Sequence, residues 1–273
     1  MVNGVFSFHV MREACLARQA EGWRQFVKSY TPLAGHLLQH YFPRLEHRAL
    51  LAEIFRHAKM NTAQFWQGFA GTSEKEFLLH IRRFVMEGAR AARGARPETP
   101  LTPQVFWAVL QEFPLLQREL LLLSFHGYTP EELHPVLKFE PETTRTVTEQ
   151  ARGKLRAQLG AAVGPDFERH DHDALFAAIE ESHGEKCLPD KTYGRIVDGQ
   201  ISWRDRDAAE QHIEGCLHCV NRFAEFREIL YYHRTLPPPE DSTLAPIAVA
   251  LGLPVQEPAR RKKRPWWQRL LGG

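Results

Sequence analysis

Apolar residues recur every three or four positions through most of the chain, which is the spacing of one face of an α-helix. The stretches that carry this pattern most clearly are "WRQFVKSYTPLAGHLLQHYF" (23–42), "EKEFLLHIRRFVMEGARAAR" (74–93) and "PLLQRELLLLSFHG" (114–127). The first part of the chain has no run of alternating apolar and polar residues long enough for a sheet. The pattern predicts an all-α fold.

Two stretches rich in proline, glycine and polar residues interrupt the helical pattern, because these residues do not continue a helix. They are "GARPETPLTP" (94–103) and "AAVGPDFERHDHD" (161–173). We therefore predict a helical domain over 1–95, a second over 101–162 and a cysteine-bearing domain over 174–235. Proline punctuates the remaining segment, 236–273, which we expect to be a disordered basic tail.

A helix start is well marked at Thr129, since its hydroxyl can cap, Pro130 suits the first helical position and Glu132 completes a capping box. The break "KFEPE" separates this helix from "TTRTVTEQARGKLRAQLG" (143–160), and two short helices around a sharp turn suggest a helix-turn-helix. We expect base contacts at the start of the second helix and phosphate contacts farther along it. The respective residues are Thr143, Thr144, Arg145 and Thr148, then Arg152, Lys154 and Arg156. The alternative is an ordinary solvated basic face.

Residues 212–219, "HIEGCLHC", carry a histidine and two cysteines at metal-ligand spacing. On a helix, His212 and Cys216 face the same side and Cys219 lies one turn farther on, while Cys187 is the best candidate for a fourth ligand. Three cysteines and one histidine are typical of a structural Zn²⁺ site. The alternative is that the cysteines are small buried hydrophobic residues. His218 points away from the other three on such a helix, so we expect it to support a ligand or to face solvent, and the alternative is that it replaces one of the four ligands.

Composition narrows the protein class. The 35 basic and 33 acidic residues nearly cancel, so nucleic-acid binding would have to come from local patches. The 4 cysteines are too few for a secreted disulfide framework, and no signal peptide or membrane span is evident, so we expect a cytoplasmic protein without a stable membrane anchor.

The ending "RRKKRPWWQRLLGG" suits an anionic membrane surface, a partner groove or a disordered tail. A zinc enzyme needs an open ligand position and a nearby general base. A site made of three cysteines and one histidine is a poor match to that requirement, so we expect no enzyme activity.

The segment "CLPDKTYGRIVDGQISWRDRDAAEQHIEGCLHC" (187–219) resembles the zinc-binding anti-sigma domain, a small helical zinc fold that masks a sigma factor. The preceding chain resembles an extracytoplasmic-function RNA polymerase sigma factor. The likeness lies in "ALLAEIFRHA" (49–58) and "EFLLHIRRFVMEGARAARG" (76–94) for the second conserved region, and in residues 110–159 for the fourth. A sigma factor and its zinc regulator would then share one chain.

The resemblance implies a region-2-like unit, a region-4-like helix-turn-helix unit and a small helical zinc-binding unit in contact with them. It implies core RNA polymerase and promoter DNA as partners, with the polymerase contact on Ala49, Ala52, Glu53 and Phe55. In the region-2-like unit Arg82, Arg83 and Arg90 would hold a melted promoter strand. The family usually has an acid and a glutamine where this chain has Ala49 and Ala52. The alternative is therefore a sigma-like or anti-sigma-like regulatory module that does not engage core polymerase.

Overall fold

The computed structural model describes residues 7–94, 101–159 and 172–254. Every regular element in these three ranges is an α-helix, which confirms the all-α prediction. The helices, in chain order, are α1 (Phe8–Leu16), α2 (Ala20–Tyr41), α3 (His47–Met60), α4 (Thr62–Gln67), α5 (Glu74–Arg93), α6 (Pro103–Leu110), α7 (Leu115–Phe125), α8 (Pro130–Leu137), α9 (Pro141–Leu159), α10 (Asp173–Glu181), α11 (Asp190–Val197), α12 (Trp203–Gly215), α13 (Leu217–Thr235) and α14 (Asp241–Ala250).

The predicted start of α8 is confirmed. The Glu132 backbone N–H donates to the Thr129 hydroxyl, and the Thr129 N–H donates to the Glu132 carboxylate at 2.8 Å. Each side chain thus accepts a hydrogen bond from a backbone N–H that has no partner within the helix. Helix α8 ends at Leu137, and the following residue, Lys138, takes a left-handed conformation with φ 64°. The chain then turns through 138–140 into α9, and the two helices pack against each other.

Helix α13 is the central element. It packs against α2 and α5 from the first part of the chain and against α7 and α8 from the second. Its buried residues lie around its whole circumference, as in a core helix. The predicted segments 1–95, 101–162 and 174–235 thus contribute to one continuous apolar cluster. Their connections fall within 95–100 and 160–171, outside the described residues, so the boundaries stay predictions.

The expectation of a disordered tail from residue 236 is wrong for its first part. Residues 241–250 form α14, which packs against α3 and α2. Burial of Ile247, Leu251 and Leu253 accounts for the order, because each removes apolar surface from water. The Lys59 ammonium also donates a hydrogen bond to the Leu251 carbonyl. The basic and tryptophan-containing run lies in 255–273, outside the described residues.

None of the helices in the described ranges combines the length and the apolar character that crossing a bilayer requires.

A buried charge network joins α5 to α13. The Arg82 side chain is almost fully buried, and its guanidinium lies 2.9 Å from a Glu225 carboxylate oxygen and 3.5 Å from one of Glu228. It also donates to the Tyr41 hydroxyl at 3.2 Å. Burial opposes the charge of Arg82, but Glu225, Tyr41 and Glu228 raise its pKa well above its usual value. The arginine therefore stays charged inside the protein.

Glu228 on α13 contacts side chains from three other parts of the chain. Its carboxylate accepts hydrogen bonds from Tyr41 on α2 and from Tyr128, which immediately precedes the cap of α8. Together with Arg82, these groups fix α2, α5 and the start of α8 against one turn of α13. A misplacement of α13 would leave several buried polar groups without partners.

We expect the substitution Arg82→Met to lower the free energy of unfolding by about 3–5 kcal/mol, because it leaves the two carboxylates buried without their cation. Arg83→Met is the matched control, since Arg83 is the next residue on α5 and is exposed. We expect the control to change stability by about 0.5 kcal/mol or less. Urea denaturation followed by circular dichroism measures both.

Adding Glu225→Gln and Glu228→Gln to Arg82→Met removes the unpaired charges, so part of the lost stability should return. Equal losses in Arg82→Met and Arg83→Met would contradict the assigned role of the network.

Candidate metal centre

The predicted ligands Cys187, His212, Cys216 and Cys219 come together. One ligand atom from each lies within 4.8 Å of the others, an arrangement that can hold a metal ion. The Cys187 and Cys216 sulfurs are 3.9 Å apart, and the His212 Nε2 is 3.2 Å from the Cys219 sulfur. A tetrahedral ion with metal–sulfur bonds of about 2.3 Å separates neighbouring sulfurs by about 3.8 Å. The cysteines are not joined by disulfides.

The backbone that carries these ligands differs from the single helix considered in the sequence analysis. The spacing argument places residues 212–219 on a helix, but α12 ends at Gly215 and α13 begins at Leu217, with Cys216 extended between them (φ −131°, ψ 113°). Glycine costs about 1 kcal/mol in a helix interior relative to alanine, which favours a break at Gly215. His212 thus lies in the last turn of one helix and Cys219 in the first turn of the next.

Helix α12 has little other anchorage. Only Ala209 and Ile213 among its residues are buried. His212 therefore provides one of its few contacts with the rest of the protein, through Cys219.

Backbone amides support two of the thiol groups. Cys187 lies between α10 and α11, where the Gly184 N–H points at its sulfur at 3.3 Å. The Leu188 N–H points at the Cys219 sulfur at 3.5 Å. Burial raises the pKa of Cys219 to about 12, so this thiol keeps its proton until a cation displaces it. Metal binding at this centre should therefore release protons.

His218 does not belong to this group of four ligands, as expected from its position in the sequence. Its Nδ1 is 3.2 Å from the Ile179 carbonyl oxygen at the end of α10. The ring is partly buried, and burial lowers its pKa.

The predicted base contacts on α9 divide between surface and core. Thr143 and Arg145 are exposed at the start of the helix, whereas Thr144 and Thr148 are buried, and the Thr148 hydroxyl donates to Ser124 on α7 at 3.3 Å. Residues 144, 147, 148, 151 and 155 form the buried face of α9. The prediction of base contacts at Thr144 and Thr148 is wrong for this conformation, because helical periodicity places both on that face.

The α9 residues that were predicted to contact phosphates reach the surface. Arg152 lies 3.3 Å from Glu149, Lys154 pairs with Glu112, and Arg145 pairs with Glu131 and Glu142. Arg156 is also exposed. Such surface pairs contribute little stability, about 0–1 kcal/mol each, and a phosphate group can replace the carboxylate.

The arginines of α5 are arranged differently. Arg82 is inside the network described above, and Arg90 pairs with Asp173 at 2.8 Å and with Glu180 at 2.6 Å, both on α10. Arg83 alone of the three predicted contacts is exposed. In this conformation Arg82 and Arg90 contact acidic residues of α10 and α13 and do not offer their charges to a nucleic acid.

The predicted polymerase contact on α3 is also split. Ala49 and Glu53 are exposed, while Ala52 and Phe55 are buried. The Phe55 ring packs edge-on against Phe26 with centroids 5.1 Å apart, so it belongs to the aromatic core. Ala52 and Phe55 are not surface contacts here, because helical spacing turns them toward α2 and α5.

No known protein family, no curated protein and no solved structure matches this chain in the comparisons made.

We expect the purified protein to contain about one tightly bound transition-metal ion per chain, and Cys216→Ser to lower this to near zero because a ligand is lost. Elemental analysis measures the ratio. Cys15→Ala is the control, because Cys15 is a free cysteine buried in α1, away from the cluster. Unchanged metal content in Cys216→Ser would place the ligands elsewhere.

Proposed function

We propose that this chain is a sigma-factor-like transcription initiation factor, with a fused zinc-binding unit that holds it in a closed state. The observation that carries the proposal is the pairing of Arg82 and Arg90 with acidic side chains of α10 and α13. The resemblance assigns these arginines to a promoter strand. The carboxylates supply the negative charge that DNA phosphates would supply in an open state.

Zinc is the ion that suits the four ligands. Three thiolates and one imidazole form the donor set of many structural zinc sites, in which all four positions come from protein. The binding free energy of such an ion contributes directly to folding. Here it would join α11, α12 and α13 through the residues at or near their ends.

One of the zinc ligands, Cys219, lies on the same helix as the carboxylates that pair with Arg82. Cys219 lies in the first turn of α13, and Glu225 and Glu228 follow six and nine residues later. At a rise of 1.5 Å per residue, they lie about 9–14 Å along the axis from Cys219. A rigid helix of this length transmits the position set by the metal to the carboxylates. The metal thereby helps to place the groups that neutralise α5.

The α8–α9 pair supports the DNA-binding part of the proposal. A short connection joins two packed helices, and the second presents Thr143 and Arg145 at its start with Arg152 and Lys154 farther along. This order agrees with a recognition helix, whose first turns contact bases while later basic residues hold phosphates.

We expect Arg152→Ala to weaken promoter binding by the protein with core RNA polymerase, similarly for all promoter sequences. The dependence of log affinity on log salt should decrease by about one unit, the effect of losing one phosphate contact. Arg206→Ala is the control, because Arg206 is an exposed arginine on α12 that also pairs with a glutamate on its own helix. Fluorescence anisotropy across a salt series measures both. Identical slopes for the two variants would argue against α9 as the DNA contact.

The closed state can be tested at Glu180. Glu180→Gln removes a carboxylate that pairs with Arg90 and approaches Arg82, so we expect about fivefold tighter promoter binding, corresponding to about 1 kcal/mol. Glu181→Gln is the matched control, since it makes the same chemical change at the neighbouring exposed position. The idea fails if the two variants bind the promoter with equal affinity.

A second candidate is a sigma-like regulatory module that does not engage core polymerase. Two observations favour it: α14 packs on α3, and Ala52 and Phe55 of the implied polymerase contact are buried. Co-purification of folded protein with core polymerase separates the candidates. Retention on the polymerase supports the initiation factor, and absence of binding supports the regulatory module.

A further inference from the structure

A second group of metal-ligating side chains lies beside the first. Ligand atoms of His183, Cys187 and His218 lie within 4.8 Å of one another, and Cys187 belongs to both groups. His183 follows the end of α10, and His218 is in the first turn of α13. The segment 212–219, which marks the first site, contains His218 but neither His183 nor Cys187. The group of three therefore becomes apparent only when the chain is folded.

The orientation of His218 suits a metal ligand. A carbonyl oxygen can only accept, so the 3.2 Å contact with Ile179 places the proton on Nδ1 and leaves the lone pair on Nε2. Metal-binding histidines commonly donate their other ring N–H in this way, which fixes both the tautomer and the ring direction. The ring planes of His183 and His218 are inclined by 78° with centroids 5.0 Å apart.

The charge of the first site also favours a second cation. Three thiolates and a neutral imidazole around a divalent ion leave a formal charge of about −1 on that centre. A thiolate in such a centre keeps lone pairs that can bind a second ion. Cys187 is the thiolate placed to do so, because its sulfur is the one shared with the histidine pair.

We infer that His183, Cys187 and His218 bind a second divalent transition-metal ion, with the Cys187 thiolate bridging it to the ion of the first site. The donors are two imidazoles and one thiolate, which suit borderline ions such as Zn²⁺ and Co²⁺. Three protein ligands leave one position of a tetrahedron open.

The open side has room for an exchangeable ligand. His183 and His218 both line a cavity of about 470 Å³ between α5 and the cysteine-bearing helices. Glu180 and Arg83 line the same cavity. The second ion is therefore expected to exchange more readily than the first, which has four protein ligands.

A cobalt titration of the full chain tests the inference, which rests on the first metal ion of the proposed function but not on DNA or polymerase binding. Reduced, metal-free protein is titrated with Co²⁺, and the visible and thiolate charge-transfer absorption is recorded. We expect two equivalents per chain to bind, with the second about tenfold or more weaker and spectrally distinct. The double variant His183→Ala/His218→Ala should bind one equivalent with the spectrum of the first site.

The control is His9→Ala/His57→Ala, which removes two exposed histidines from α1 and α3 and should retain both equivalents. Circular dichroism verifies that every variant is folded. Saturation of the wild type at one equivalent would refute the second site while leaving the first intact. Two equivalents in the His183/His218 variant, or loss of the first along with the second, would refute the ligand assignment.

Two single cysteine substitutions distinguish failure of the second metal site from failure of the first. Cys216→Ser should alter only the first spectrum strongly, whereas Cys187→Ser should affect both, because only Cys187 is shared. Equal effects of the two substitutions would exclude a bridging role for Cys187.

Discussion

The arrangement of helices depends on one buried interaction, the contact of the Arg82 guanidinium with the carboxylates of Glu225 and Glu228. Charges removed from water are costly unless their partners are well placed, so such a group contributes more to selecting one packing than to net stability. With Tyr41 and Tyr128 added, the network specifies which turn of α13 faces α2, α5 and α8. Apolar packing alone would permit α13 to slide or rotate more easily.

The cysteine and histidine cluster contacts the same helix at its N-terminal end. Cys216 immediately precedes α13 and Cys219 lies in its first turn, while Glu225 and Glu228 contact Arg82 from its middle turns. Two constraints of different chemistry thus position one rigid element. The helices that carry the cysteine and histidine cluster and the helices that precede them are thus parts of one packed structure, with α13 in contact with both.

Local signals in the sequence predicted much of this structure. The Thr129 cap and the Cys187, His212, Cys216 and Cys219 cluster were predictable because each depends on residue type and short spacing. The failures have physical causes. The sequence alone suggests that Arg82 is a surface residue, because its partners Glu225 and Glu228 lie more than 140 positions away along the chain. Thr144 and Thr148 have side chains suited to base contacts, but helical periodicity places them on the buried face of α9. Helix α14 was not predicted because the α3 surface on which it packs exists only in the folded chain.

The break at Cys216 has a consequence for local motion. Because α12 is a separate helix with only Ala209 and Ile213 buried, its backbone hydrogen bonds have little packing to protect them. We expect α12 to be among the first segments to open while the remaining helices stay folded. The tether at His212 then sets how often that opening occurs, so amide hydrogen exchange in α12 reports on the state of the cluster without a measurement on the sulfurs.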